Sequence, residues 1–153
     1  MKKFVSAAVL SALFSHHIAF ATQYDIECLN HKGKFSDCEV SIEDQKVDVK
    51  FDGKSNKDLN VTIPGDKITE LSAGEYSRRR VGESIAGAVL FAPVALFALL
   101  SKKKLTHIGV EFTDEDGKPR STLFQIKKKY SMALKTELKA ISGKEITEDE
   151  PKK

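Results

Sequence analysis

Residues 78–104 read RRRVGESIAGAVLFAPVALFALLSKKK, and the fold of the whole chain depends on where this stretch lies. Its centre, residues 85–100, contains no polar side chain, and three basic residues stand on each side. We call residues 82–101 the apolar insertion. Because a small domain rarely exposes so uniform an apolar run to water, the insertion is either a membrane element or fully buried.

Three placements of the insertion stay open. A single helix over residues 85–100 would span about 24 Å, which is short for a hydrocarbon core of about 30 Å. A span would also separate the two halves of the chain. Alternatively, Pro93 allows a kink or a turn between two arms, so that the insertion dips into the membrane with both ends on one side. Finally, its small residues would permit close packing inside the domain or between subunits of a homo-oligomer.

The flanks of the insertion indicate which residues would contact lipid. The basic triplets are balanced, whereas a spanning helix commonly shows an excess of basic residues on its inner side. Both triplets could bind anionic headgroups, at roughly 1 kcal/mol per residue. The predicted membrane or lipid contacts are Arg78, Arg79, Arg80, Phe91, Leu96, Phe97, Lys102, Lys103 and Lys104.

The start of the chain has the pattern of a cleaved signal peptide over residues 1–21. A basic start is followed by an apolar core and by the small-x-small site Ala19-Phe20-Ala21. We therefore expect export to the periplasm, with the protein bound to the membrane. Cys28 and Cys38 flank a Gly-containing turn, so a structural disulfide is favoured over a redox pair.

Charge and motifs restrict the function class. The chain has 25 Lys and Arg against 22 Asp and Glu, and the signal peptide holds two of the basic residues, which leaves the mature chain at +1. This near-neutral charge argues against a nucleic-acid partner. Nucleophile elbows, Gly-rich phosphate loops and metal-spaced His pairs are missing from the sequence. We expect no catalytic site, no cofactor and no metal, and the protein partner is unknown.

Most of the remaining chain alternates apolar and polar residues with the period of a strand. Four such runs lie between residues 22 and 63, a fifth covers residues 68–71, and residues 76–79 are read as a possible further strand. After the insertion, alternating residues 106–113 and a return strand at 121–126 flank the turn at 114–118. His107 is expected on the polar, partly exposed side of its strand.

The period changes to that of a helix near the end of the chain. Tyr130, Leu134, Leu138 and Ile141 form one apolar stripe, and Gly143 marks the helix end. Residues 145–153 are charged and are expected to be disordered. The predicted domain, residues 22–144, is mainly β (α+β): a bent antiparallel sheet or partial barrel of about seven strands, capped by one C-terminal helix, with the insertion forming a helix or hairpin.

Three segments carry a resemblance to a known family. RRRVGESIAG, SKKKLTHIGVEFTDEDGK and FQIKKKYSMALKTELKAISGK resemble an uncharacterised family of small exported bacterial proteins with a pleckstrin-homology-like (GRAM-like) fold. The resemblance covers roughly residues 76–146. It implies a β-sandwich or barrel capped by a C-terminal helix, and it implies no activity.

The sequence therefore predicts a non-enzymatic envelope protein that associates with the membrane through the insertion and binds lipid or protein. The alternative is a single-pass inner-membrane protein whose residues 82–101 span the bilayer. A third interpretation is a soluble enzyme or ligand-binding protein with an internal apolar stretch.

Overall fold

A computed structural model of the chain describes residues 22–78, 81 and 104–148, which form a sheet covered by a helix. The predicted mainly β fold with a C-terminal helix is confirmed, and the eight-stranded sheet is open rather than closed into a barrel. The elements are β1 (Thr22–Leu29), β2 (Phe35–Glu43), β3 (Lys46–Phe51), β4 (Val61–Pro64), β5 (Ile68–Ala73), β6 (Leu105–Thr113), β7 (Pro119–Lys127), α1 (Lys128–Ser142) and β8 (Ile146–Glu148), with 3-10 helices at Lys54–Leu59 and Gly65–Lys67.

The strand order combines the two halves of the chain. It runs β4-β3-β2-β1-β7-β6-β5-β8, so the β6–β7 hairpin lies between β1 and β5. Neighbouring strands are antiparallel except β5 and β8, which are parallel. β1 and β5 precede the insertion in sequence, whereas their neighbours β7, β6 and β8 follow it. The sheet is therefore a single structure to which both sides of the insertion contribute strands.

The main core lies between one face of the sheet and α1. Alternate strand residues such as Val40, Val49 and Ile108 are almost fully buried there, as are Leu134 and Leu138 of the helix. Tyr130 departs from the predicted stripe: it is 50 % exposed, and Ser131 takes the inward position in the first turn. The inward residues therefore start at 131 and continue at spacings of three and four.

The helix ends where the sequence predicts. Gly143 has φ 66, a left-handed conformation that glycine adopts without steric cost, and its N–H donates to the Lys139 carbonyl at 2.9 Å.

Two local predictions are wrong. Residues 76–78 are helical rather than extended, as part of a helical segment that begins at Gly74. The expected disordered tail starts too early, because Ile146–Glu148 forms β8 on the edge of β5 and extends the domain at least to residue 148. Ion pairs join residues 145–148 to α1, between Lys139 and Glu145 (2.6 Å) and between Lys135 and Glu148. Residues 149–153 lie outside the described part.

The predicted disulfide is present between β1 and β2. Cys28 and Cys38 are bonded, with Cα atoms 5.8 Å apart, and both are buried in the main core. Asn30 closes the turn between them, since its side-chain oxygen accepts hydrogen bonds from the N–H groups of Lys32 and Lys34. In the chain-entropy account a loop this short contributes about 2–3 kcal/mol of stability.

Candidate functional site

The apolar insertion connects two neighbouring antiparallel strands. Ala73 ends β5 and pairs with Ile108 of β6, and Lys104 immediately precedes β6. Antiparallel neighbours connected in this way have their joined ends on the same side of the sheet. The chain therefore leaves the sheet for the insertion and returns from it at one end of the molecule.

The first turns of this connection pack on the sheet face opposite α1. We call residues 74–78 together with Val81 the insertion root. Val81 is fully buried and packs with Leu29 and Leu123 in a second, smaller apolar cluster. Successive strand residues point to opposite faces, and Leu123 is followed by Phe124 of the main core. The root thus covers part of the sheet face that α1 leaves open.

A glycine allows the insertion root to approach the sheet closely. An ideal Cβ on Gly109 of β6 would lie 2.6 Å from the Ser72 Oγ, 3.1 Å from a Val81 methyl carbon and 3.2 Å from the Ser77 Cβ. Ser72 and Ser77 are both buried. Ser77 also fixes the first turn of the root, because its hydroxyl donates to the Gly74 carbonyl at 2.7 Å. A side chain at position 109 would therefore displace the root.

A chain of three polar residues crosses the same face beside the root. The Gln125 amide nitrogen donates to the Glu27 carboxylate, and the His107 Nε2 lies 3.2 Å from the Gln125 side-chain oxygen. An ionised carboxylate can only accept, so it sets the orientation of the Gln125 amide. The amide oxygen then faces His107, which requires the neutral imidazole to carry its proton on Nε2.

His107 is held in its neutral form. Burial lowers its pKa, the hydrogen bond to Gln125 acts in the opposite direction, and the positive charge of Arg78 lowers it further. The expectation that His107 is partly exposed is wrong: it is 7 % exposed, and its ring centroid lies 5.6 Å from that of Phe35. Alternation along β6 predicts the face of His107 correctly, but the root that covers that face is not visible in a strand pattern.

The other end of the insertion meets a second run of lysines. The Lys104 carbonyl accepts a hydrogen bond from the Lys128 N–H at 3.0 Å, and Leu105 pairs with Lys127. Lys104 therefore lies beside Lys127, Lys128 and Lys129, and all four are exposed. We call these four residues the lysine patch. The strand pattern alone does not predict this patch, although counting back from the turn at 114–118 pairs residue 105 with residue 127.

Carboxylates do not neutralise the lysine patch within the described ranges. The lysines farther along α1, Lys135 and Lys139, have acidic partners, whereas none of the four patch lysines forms an ion pair with a described residue. The first turn of α1 also lacks an acidic residue and a side-chain cap. Lysines at the positive end of a helix are unfavourable, so the arrangement lowers the stability of α1.

Two exposed side chains with apolar surface adjoin the lysine patch. Tyr130 and Met132 are 50 % and 69 % exposed, and the Lys129 ammonium lies 4.4 Å from the Tyr130 ring centroid. A hydrogen bond with Lys129 and its charge lower the pKa of Tyr130, and the Lys127 charge acts in the same direction. Positive charge thus surrounds an aromatic ring on this surface.

The predicted lipid contacts are only partly within the described residues. Arg78 is half-buried in the insertion root, near His107, and Lys104 is exposed at the start of β6. Their roles in binding headgroups stay predictions. The others lie outside the described part of the chain: Arg79, Arg80, Phe91, Leu96, Phe97, Lys102 and Lys103.

Neither a membrane-spanning helix nor a metal site is found in residues 22–78, 81 and 104–148. None of the helices there is long and apolar enough to cross a bilayer. Nor do three His, Cys, Asp or Glu side chains come close enough together in these ranges to hold a metal ion.

Comparison with known proteins does not identify a family. No protein-family model matches the chain, and no curated protein is found to be related to it. The likeness to a pleckstrin-homology-like family therefore stays a prediction.

Proposed function

We propose that this protein is a non-enzymatic domain of the cell envelope that associates with a membrane through the apolar insertion and binds lipid or protein with its remaining surface. The observation that carries the proposal is the position of the insertion between β5 and β6. Because both of its ends lie at the same end of the sheet, the insertion can dip into a bilayer while the folded domain stays on one side.

Strand pairing favours this topology over a single span. A span at residues 82–101 would put β1 and β5 on one side of the membrane and β6, β7 and β8 on the other. The pairs β1–β7, β5–β6 and β5–β8 would then be impossible. A chain that kept the span would lose the centre of its sheet and much of its main core.

Export is supported by two independent features. The signal-peptide pattern at residues 1–21 predicts translocation. The Cys28–Cys38 disulfide is compatible with an exported protein, because such bonds persist in oxidising compartments. Together they favour a domain that folds on the periplasmic side and reaches the membrane from there.

A binding role is favoured over catalysis because the polar side chains beside the insertion root, Glu27, Gln125 and His107, are hydrogen-bonded to one another. The chain from Glu27 through Gln125 to His107 lies beside the insertion root, and burial lowers the pKa of the imidazole. A mainly β domain with a C-terminal helix is the coarse architecture that the pleckstrin-homology-like resemblance implies, and that resemblance implies no activity.

A topology experiment tests the proposal. A protease-sensitive tag is placed after Lys153, and intact spheroplasts are treated with an impermeant protease while a cytoplasmic protein serves as control. We expect the tag to be lost while the control survives. Survival of the tag in sealed cells, with digestion after lysis, would establish a span and reject the one-sided topology.

Membrane extraction tests the insertion itself. We expect the wild-type protein to stay with membranes through high-salt and carbonate washing, and the variant with Phe91→Asp and Phe97→Asp to be released while it remains folded. If the insertion were instead packed inside the domain, the same variant would unfold. Circular dichroism and protease resistance of the released protein distinguish these outcomes.

A further inference from the structure

The lysine patch is a charged surface that the proposed function leaves unexplained. Its lysines come from two distant parts of the sequence: Lys104 lies between the insertion and β6, and Lys127, Lys128 and Lys129 lie where β7 meets α1. The backbone hydrogen bond from Lys128 to Lys104 holds the two parts together. The patch is therefore built into the fold and lies where the chain returns from the insertion.

We propose that the lysine patch, with Tyr130 and Met132, is a second membrane-contact surface that binds the headgroups of an anionic bilayer. This inference rests on the proposed function, because the insertion brings this end of the domain to the membrane. The patch then adds an electrostatic contact beside the apolar one. Bound in this way, the domain has one preferred orientation, with the first turn of α1 facing the lipid.

Charge complementarity identifies the partner. Four lysines without carboxylate partners among the described residues form a concentrated positive surface on a chain that is otherwise close to neutral. Lysine side chains are long and carry point charges that suit a diffuse layer of headgroups. The near-neutral total charge disfavours nucleic acid, which requires a broad basic surface.

The side chains beside the lysines are suited to a membrane interface. Tyrosine combines an apolar ring with a polar hydroxyl, and it is enriched at the level of the headgroups. Tyr130 and Met132 point away from the core, while Leu134 of the same helix is fully buried. The first turn of α1 therefore presents positive charge and apolar surface together, as interfacial elements do.

Vesicle binding tests the inference. The full chain, expressed with its own leader, is mixed with vesicles of phosphatidylcholine alone or of phosphatidylcholine with phosphatidylglycerol. The patch variant carries Lys127→Gln, Lys128→Gln and Lys129→Gln. At roughly 1 kcal/mol per lysine, the loss of three lysines should weaken binding to the anionic vesicles roughly hundredfold and reduce its salt dependence. Binding to neutral vesicles should change little.

A matched control removes the same charge elsewhere. Lys32, Lys34 and Lys118 are exposed and lie in turns, and Lys118 is at the opposite end of the β6–β7 hairpin from Lys127. Changing these three residues to Gln should leave binding to anionic vesicles close to that of the wild type. A second variant, Tyr130→Ala with Met132→Ala, should bind both kinds of vesicle more weakly and keep the salt dependence. Thermal unfolding verifies that each variant is folded.

The outcomes separate this inference from the proposed function. Equal loss of binding in the patch variant and in the control would overturn the inference, because total charge rather than location would matter. The inference would also be overturned if the patch variant bound anionic vesicles as tightly as the wild type. In that case, release of the Phe91→Asp, Phe97→Asp variant from membranes would still support the proposed function. If the wild-type protein bound neither the neutral nor the anionic vesicles, both the inference and the proposed function would be rejected.

Discussion

Replacing Gly109 with alanine tests directly whether the insertion root packs against the sheet. The new methyl group would lie 2.6 Å from the Ser72 Oγ and 3.1 Å from a Val81 methyl carbon. Ser72 and Val81 are 1 % and 0 % exposed, so both lie among packed neighbours. Overpacking of this kind costs about 1–3 kcal/mol. We expect Gly109→Ala to lower the free energy of unfolding by that amount.

Urea unfolding followed by far-ultraviolet circular dichroism measures this effect, since the chain has no tryptophan for fluorescence. The shortest contact is to the Ser72 hydroxyl, so a double-mutant cycle with Ser72→Ala identifies the cause. Removal of Oγ should make Gly109→Ala less costly in the Ser72→Ala background. The remaining cost would come from Val81 and Ser77.

Limited trypsin digestion adds a local measurement. Arg78, Arg79 and Arg80 follow directly on the first turn of the root, so displacement of the root should make them easier to cleave. We expect faster cleavage in Gly109→Ala than in the wild type under conditions where both remain folded. Unchanged stability together with unchanged cleavage would refute the close approach of the root to β6.

Three further predictions concern other parts of the fold. Burial lowers the pKa of His107, so the unfolded chain takes up a proton first as the pH falls below about 6.5. The free energy of unfolding of the wild type should then fall by up to about 1.4 kcal/mol per pH unit. Urea unfolding from pH 7 downward should show that His107→Gln removes this slope and that His31→Gln retains it. Changing both Cys28 and Cys38 to alanine should cost about 2–3 kcal/mol, and reduction of the wild type should lower its urea midpoint similarly; equal midpoints with and without reductant would contradict a stabilising disulfide. Ile146→Ala should cost about 1 kcal/mol and speed amide hydrogen exchange in β5, whereas unchanged exchange would mean that β8 does not protect this edge.

Local patterns in the sequence predict most of the elements. Alternation of apolar and polar residues identifies β1, β2, β3, β4 and the β6–β7 hairpin, because one face of each strand is buried in the core. Gly143 predicts the end of α1, since few residues other than glycine adopt its left-handed conformation readily. The cysteine spacing predicts the disulfide for a similarly local reason: the two residues flank a single turn.

The same patterns predict the candidate site less completely. The strand period places His107 on the non-core face, but it does not reveal that the insertion root covers this face. Tyr130 has the spacing of an inward residue, yet the helix is rotated so that Ser131 faces the sheet. The three residues of β8 lie in a charged tail whose composition suggests disorder, and only the free edge of β5 gives them a partner.

Local patterns in the sequence are enough to predict the strands and the amphipathic helix, and they show an apolar insertion between basic triplets. These are short-range properties, set by the period of side chains along a single element. The pairing of β1 with β7, and of β5 with β6 and β8, appears only in the folded chain, and it places both ends of the insertion at the same end of a single sheet. The folded chain also brings Lys104 beside Lys127. Such contacts form because strands that are distant in sequence bury their apolar faces together. The free energy of this burial is gained only when the sheet assembles, so no single segment reveals it.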